Sequence, residues 1–257
     1  MKDIYRYGKD LNSHDLVKIV AITTMVIDHI GLYFLGNNVW FRIVGRLAAP
    51  QFFYLVGYSG SYRFKREILA YGLALVAVEY FAGTGEGVVE RLLPINILVA
   101  FVLIKAFLSR FDLSKFPTAA LIGALLIMLF MSYPTWIALE YGTIGLCYAI
   151  GARLQSKNHS FALPWLFATM LLHYVFSVFT LPGLEFETSS KRVVVELALL
   201  ALLFIGNLIL FTNYRFRVFE VRRQWLRTIG IYVSRYSLEI YFFHLSVFMI
   251  IHKLWIA

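Results

Sequence analysis

Charged residues are scarce in this sequence. Asp, Glu, Lys and Arg make up 15% of its 257 residues, whereas an ordinary soluble domain carries about 25%. Apolar residues make up 60%, which is more than a single water-soluble core of this length can bury. The composition therefore excludes an ordinary soluble domain and predicts a protein whose main solvent is the lipid bilayer.

Cysteine and metal-ligand spacings are lacking as well. The single cysteine, Cys147, lies in an apolar run, so no disulfide can form within the chain and the residue is interpreted as a small core filler. The six histidines are scattered, and adjacent Asp28 and His29 do not point two ligands to one helix face, so no metal site is predicted. The polar N-terminus lacks the features of a cleavable signal peptide, and the first apolar run is predicted to be a retained anchor.

Nine apolar runs lie between the clusters of charge, and each approaches the roughly 20 residues that a helix needs to cross the hydrocarbon. We therefore predict an all-α membrane bundle of about nine transmembrane helices, forming a single domain over residues 1–257. The second run is the least regular, because Arg42, Arg46 and Pro50 lie at its start. The nine runs are 16–36, 43–60, 68–83, 94–109, 117–132, 138–153, 162–181, 193–213 and 237–255.

The distribution of positive charge predicts the orientation of these spans. With the N-terminus in the cytoplasm, alternate loops place 18 of the 24 Lys and Arg residues on the cytoplasmic side. The net charge of +9 is thus explained by membrane topology, and nucleic acid is not predicted as a partner. The basic and aromatic stretch 213–235 predicts a cytoplasmic helix lying on anionic lipid, and the alternative is that it also frames an anionic cytosolic cofactor.

Ionisable residues inside the predicted spans are the main functional signal, because a charged side chain at mid-bilayer costs at least about 2.5 kcal/mol. Asp28 and His29 are adjacent in the first span, Arg46 should reach a similar depth in the second, and His244 lies in the last. A histidine beside a carboxylate and an arginine is a common arrangement for a general base. The alternative is a structural Asp–Arg ion pair with a hydrogen-bonded imidazole. Other polar residues within the spans are interpreted first as contacts between helices, namely Glu79, Asn96, Glu140, His173, Asn207 and Glu239.

Lys18 precedes His29 by eleven residues on the same predicted helix, a separation of roughly 16 Å along the helix axis. A pantetheine arm covers a distance of that order. Lys18 is therefore a candidate for holding a phosphate of coenzyme A while His29 meets the thioester. The alternative is that Lys18 anchors the helix at the membrane surface.

The same residues resemble a known family. The segments DLVKIVAITTMVIDHIGLYF and FRIVGRLAAPQFFYLVGY are similar to the TraX family, the F-pilin acetylases of conjugative plasmids. The shared pattern is an apolar helix ending in a D-H pair, followed by G-R-x-A-x-P-x-F. Shorter matches follow at NILVAF, EYGTIGL and YFFHLSVF. The K-x10-H spacing is also similar to the R-x10-H motif of membrane acyltransferases that modify cell-surface sugars.

The resemblance implies a multi-pass acetyltransferase of the bacterial inner membrane, which uses cytosolic acetyl-CoA to acetylate the N-terminal amine of a membrane-held pilin subunit. His29 would be the catalytic base, Asp28 its partner, Arg46 an orienting or charge-stabilising group, and His244 a second catalytic residue. Lys18 and Arg42 are predicted to bind the coenzyme. Two alternatives remain open: an acetyltransferase acting on a surface glycan, and a proton-coupled transporter, against which the lack of repeated halves counts.

Overall fold

The computed structural model describes residues 10–62, 66–82, 87–180, 190–221 and 223–256. Most of this part is helical. The helices are α1 (Ser13–Tyr33), α2 (Val39–Gly45), α3 (Ala48–Tyr58), α4 (Arg66–Ala82), α5 (Val88–Leu92), α6 (Ile97–Arg110), α7 (Thr118–Phe130), α8 (Ser132–Ala138), α9 (Gly142–Ser156), α10 (Ala162–Thr180), α11 (Ser190–Thr212), α12 (Gln224–Arg235) and α13 (Ser237–Ile256), with a 3₁₀ helix at Leu113–Lys115. Residues 1–9, part of the predicted cytoplasmic N-terminus, lie outside the described residues.

The prediction of an all-α protein with membrane-spanning helices is confirmed. Each of the nine predicted spans overlaps at least one helix. Within the described ranges, however, only four helices are long and apolar enough to cross a bilayer alone: Ser13–Tyr33, Ala162–Thr180, Lys191–Thr212 and Ser237–Trp255. Helices α7 and α8 would form a fifth span, bent by 52°. The count of nine and the orientation stay predictions.

The second predicted span, 43–60, is broken into two helices. Helix α2 ends at Gly45, helix α3 begins at Ala48, and Arg46 and Leu47 form the turn between them. Pro50 lies in the first turn of α3, where its missing N–H removes no helical hydrogen bond. Because the chain reverses direction after α1, helix α2 packs back along the C-terminal part of α1.

Four helices pack against α1, namely α2, α3, α12 and α13, so α1 lies at the centre of this group of helices. Its first turn is closed by a capping box: Asn12 Oδ1 accepts the Asp15 N–H at 3.1 Å, and the Asp15 carboxylate accepts the Asn12 N–H at 3.0 Å. Strand β1 (Leu11–Asn12) pairs antiparallel with strand β2 (Val218–Phe219). These contacts dock the segment after α11 onto the N-terminal end of α1.

The predicted interfacial helix over 213–235 is shorter in the structure. Among the described residues of this stretch, only Gln224–Arg235 is helical, and Val218–Phe219 form β2 instead. Helix α12 is amphipathic: Gly230 packs against Leu11, whereas Trp225, Ile229 and Tyr232 expose more than half of their surface. The amphipathic helix is therefore present, and its contact with anionic lipid stays a prediction.

Candidate functional site

Two cavities open from opposite ends of α1 towards the same point in the bundle. The N-end cavity, of about 460 Å³, is lined by Lys18 and Met25 of α1 together with Lys105, Arg235 and Tyr241. Two further carboxylates, Glu67 and Glu239, also line it. The C-end cavity has a volume of about 490 Å³, and its lining includes Tyr33, Arg42, Arg46, Glu79, Arg91, Trp136 and Thr180.

Four residues line both cavities and therefore lie where the two meet: Asp28, His29, Glu140 and Tyr141. Asp28 and His29 come from the last quarter of α1, and Glu140 and Tyr141 immediately precede α9. A molecule in either cavity can thus reach the His29 ring. Lys18 and His29 share one continuous helix and one cavity, as the sequence predicts.

Asp28 forms a buried ion pair. Arg42 Nη1 donates to Asp28 Oδ2 at 2.5 Å, and the two side chains expose only 15% and 17% of their surface. The close approach of α1 and α2 depends on Gly45, since a Cβ built at this position would overlap the Asp28 carboxylate. The glycine of the G-R-x-A-x-P-x-F motif is therefore explained by packing against the aspartate of the D-H pair.

His29 is hydrogen-bonded to His244, whose position in the chain is 215 residues away. The distance between His29 Nδ1 and His244 Nε2 is 2.7 Å, and His244 Nδ1 lies 2.6 Å from the carbonyl oxygen of Ile240. The ring centroids are 5.0 Å apart and the ring planes differ by 22°, so the two rings meet edge to edge. Helices α1 and α13 pack against each other and bring the two rings together.

The hydrogen-bond chain determines the tautomers of a neutral pair of imidazoles. A carbonyl oxygen only accepts, so His244 Nδ1 carries the hydrogen and donates to Ile240. His244 Nε2 then has a lone pair and accepts from His29 Nδ1–H. His29 Nε2 is consequently left unprotonated, with a lone pair available to a substrate proton. A charged ring beside Arg42 inside the bundle would be costly, which favours the neutral pair.

Arg46 lies deeper than a surface arginine, with 8% of its surface exposed. Its guanidinium lines the C-end cavity, where Nη2 is 3.5 Å from Thr180 Oγ1. Arg46 Nε is buried and has no hydrogen-bond partner among the described residues. The side chain therefore has donors available for an oxygen atom of a molecule in that cavity.

Two predicted pairings differ from the structure. The sequence predicts Asp28 as the partner of His29, but Asp28 bonds to Arg42 and the imidazole bonds to His244. This follows from helix geometry, because adjacent residues point in directions about 100° apart. Arg42 is predicted to bind the coenzyme with Lys18, yet Arg42 lines only the C-end cavity and Lys18 only the N-end cavity. Arg42 is thus a partner of Asp28 rather than a neighbour of Lys18.

Sequence reasoning missed the position of Glu140 and Tyr141 at the junction of the cavities. Glu140 was interpreted as a contact between helices, and it does accept the Ile97 N–H at 2.9 Å, but it also faces both cavities. The signal was present in the EYGTIGL segment that carries the family resemblance. The interpretation as contacts between helices fits three other residues. Asn96 donates to Gly72 O, Asn207 accepts from Gln51, and His173 bonds to Tyr148.

The apolar helices and the polar cavities inside them define a helical membrane protein with a buried ionisable site. The family model described as TraX protein matches residues 13–252, and the chain belongs to this family. The resemblance noted in the sequence is therefore confirmed. The chain is also 27% identical to an uncharacterized protein of Rickettsia prowazekii (strain Madrid E), over 86% of this chain and 88% of the relative. No solved structure matches it significantly.

Proposed function

We propose that this protein is an acetyltransferase of the bacterial inner membrane, with a multi-pass topology and a cytoplasmic N-terminus, which transfers the acetyl group of cytosolic acetyl-CoA to a primary amine. In line with the TraX family, the proposed acceptor is the N-terminal amine of a membrane-held pilin subunit. The observation that carries the proposal is that His29 stands at the junction of two cavities that open from opposite ends of one helix.

The N-end cavity suits the acetyl donor. Its volume of about 460 Å³ lies in the usual range for small-molecule sites. Lys18, Lys105 and Arg235 supply positive charge for the phosphates of coenzyme A. Lys18 and His29 are separated by about 16 Å along α1, so the pantetheine arm would extend inward with the thioester at the imidazole. This orientation agrees with the predicted cytoplasmic position of the basic loops.

The tautomer of His29 defines the proton transfer. His29 Nε2 takes a proton from the amine nitrogen as that nitrogen attacks the thioester carbonyl carbon, so a C–N bond forms. The C–S bond then breaks, and the leaving thiolate takes a proton from the imidazolium to give the free thiol. Arg46 of the adjoining C-end cavity supplies positive charge near the developing oxyanion. A short-lived acetyl group on His29 Nε2 would use the same lone pair, and both routes remain within the proposal.

The test uses purified protein in lipid nanodiscs with radiolabelled acetyl-CoA and a synthetic peptide that carries a pilin N-terminus. We expect labelled peptide with the wild-type protein and a loss of at least about 100-fold in kcat for His29→Ala, the range typical of a general base. The matched control is His159→Ala, which removes a histidine that precedes α10 and lines neither cavity. Full transfer by the His29 variant would remove the imidazole from the mechanism.

One observation also fits a proton-coupled transporter, namely that two cavities meet at a buried ionisable cluster. The two functions differ in what they do to the coenzyme. A transporter would leave acetyl-CoA intact and show no affinity for it, whereas the acetyltransferase would release free coenzyme A thiol in the presence of the peptide. Label found in a surface glycan instead of the peptide would identify the third candidate, a glycan acetyltransferase.

A further inference from the structure

Two carboxylates other than Asp28 line the C-end cavity. They are Glu79 of α4 and Glu140. In the part of the chain that the structure describes, neither carboxylate forms an ion pair with Lys or Arg. Glu140 accepts the Ile97 N–H, which leaves acceptor capacity on its carboxylate. Carboxylates inside a membrane protein usually pair with a cation, and a cationic ligand in this cavity would supply one.

The cation is more plausibly organic than metallic. Among the described residues, no group of three or more His, Cys, Asp or Glu side chains is arranged to hold a metal ion. A primary ammonium carries three N–H donors and can bridge two carboxylates. The aromatic rings of Tyr33 and Trp136 line the same cavity, and aromatic walls favour an organic cation.

Arg46 gives a second and independent indication of a ligand. It is more than nine-tenths buried, lines the same cavity, and its Nε has no partner among the described residues. A guanidinium in this position is a donor for a ligand oxygen. A ligand that presents both an ammonium group and a nearby oxygen matches the two indications. The free N-terminus of a peptide has this chemistry, with its α-ammonium next to the first peptide carbonyl.

We infer that the C-end cavity is the acceptor site and that it selects a cationic α-amine, which Glu79 and Glu140 hold beside His29 while Arg46 binds the first carbonyl oxygen. One of the two carboxylates takes a proton from the ammonium group, so that the neutral amine attacks the thioester and His29 takes the second proton. The inference rests on the proposed function and adds the recognition of the acceptor. It assigns the donor site to the N-terminal end of α1 and the acceptor site to the C-terminal end. It also disfavours a sugar hydroxyl, which carries no charge to offset the two carboxylates.

The experiment compares two peptide probes on the full-length protein in nanodiscs. One is the synthetic pilin-type peptide with a free α-amine, and the other is the same peptide with a hydroxyl in place of that amine. For Glu79→Gln and Glu140→Gln we expect KM for the amine peptide to rise roughly tenfold or more, because each variant loses a charge-assisted contact. For Glu79→Gln, KM for acetyl-CoA should stay within about twofold, since Glu79 lines only the C-end cavity. Glu220→Gln, an exposed carboxylate outside both cavities, is the control and should change neither constant.

The outcomes separate this inference from the proposed function. If wild-type protein neither binds acetyl-CoA nor transfers its label, the proposed function fails. If the wild type transfers label but both glutamine variants keep the wild-type KM for the amine peptide, or if the hydroxyl peptide is acetylated as well as the amine peptide, the acceptor site is wrong. Retained acetyl-CoA binding by the variants demonstrates that they are folded, and the two variants test the same site independently.

Discussion

Both ring nitrogens of His244 form hydrogen bonds, and one of them accepts the hydrogen bond from His29. His244 Nε2 accepts from His29 Nδ1–H, and His244 Nδ1 donates to Ile240 O. In the proposed mechanism His244 is therefore a positioning residue, which holds the His29 ring in the tautomer whose Nε2 is unprotonated. In serine proteases an aspartate has the corresponding role; here a second imidazole does.

This role predicts a difference between two variants of His244. In His244→Gln the amide oxygen lies near the position of Nε2 and still accepts from His29, so we expect kcat to fall less than about tenfold. In His244→Leu the acceptor is gone and His29 can adopt the other tautomer, so we expect a loss on the order of 100-fold or more in kcat. KM for acetyl-CoA should be similar in both, which distinguishes positioning from binding. Equal activities of the two variants would contradict the assignment.

The Asp28–Arg42 pair indicates why sequence reasoning was partly right at the scale of the residue. A costly Asp–Arg pair in the first two spans could be predicted, because unpaired charges do not persist in a bilayer. The sequence could not predict which arginine pairs with Asp28, because Arg42 and Arg46 are one helical turn apart. The break at Arg46–Leu47 decides which of the two faces α1. The His29–His244 contact was beyond reach for another reason: the sequence contains no signal that α1 and α13 are neighbours.

At the scale of the element, the crossing of α3 and α9 depends on the absence of a side chain. A Cβ at Gly57 would overlap the backbone carbonyl of Ala149, and backbone cannot move aside as a flexible side chain can. Close approach through small residues is the usual basis of helix packing in membranes. Helix α3 begins at Ala48, two residues after Arg46, and its residues Ala48 and Ala49 line the N-end cavity. A shift of this crossing would therefore also displace the site.

We therefore expect Gly57→Ala to lower the free energy of unfolding by about 1–3 kcal/mol, the usual effect of overpacking. The control is Gly123→Ala in α7, where a Cβ meets nothing within 4 Å, so the higher helix propensity of alanine should leave stability unchanged or slightly increased. Denaturant unfolding of both proteins in detergent, followed by far-ultraviolet circular dichroism, measures the difference. If Gly57→Ala left the free energy of unfolding unchanged, α3 and α9 would be able to move apart without a loss of stability.

The predicted spans were accurate where apolar periodicity alone decides the element. Runs 16–36, 162–181 and 193–213 became α1, α10 and α11 within a few residues. The prediction was less accurate at 43–60, where the structure has a break after Gly45, and after run 117–132, where α8 follows α7 at a bend of 52° in place of a loop. Both departures lie beside the C-end cavity, which Arg46 and Trp136 line. Broken helices near a polar cavity satisfy their free backbone groups there, and periodicity gives no indication of where this occurs.

At the scale of the whole molecule, the proposed mechanism gives the reaction a direction. The N-end cavity carries Lys18, Lys105 and Arg235, and the C-end cavity carries the groups that we propose for the acceptor. A donor confined to the cytoplasm and an acceptor held in or beyond the membrane would then meet at His29 without either crossing the bilayer. This arrangement requires the N-terminal end of α1 to face the cytoplasm, so the topology is the point on which the proposed function depends most directly.

The topology can be tested with single cysteines and a membrane-impermeant maleimide on intact cells. Leu35→Cys and Tyr133→Cys are predicted to face outward and should be labelled at once, and both native side chains are exposed. Lys115→Cys and Ser160→Cys, also at exposed positions, should be labelled only after permeabilisation. The parent protein is the blank, because Cys147 is fully buried.

The alternation of the four sites distinguishes the predicted topology from one in which only four helices cross. If only α1, α10, α11 and α13 crossed the bilayer, all four positions would lie between the first and second crossings and would be labelled from one side. The opposite alternation would place Lys18 outside, and acetyl-CoA, which is charged and cytosolic, could no longer reach His29 through the N-end cavity. The acetyltransferase proposal requires the alternation in the stated order, because only then do the basic residues and the coenzyme share a compartment.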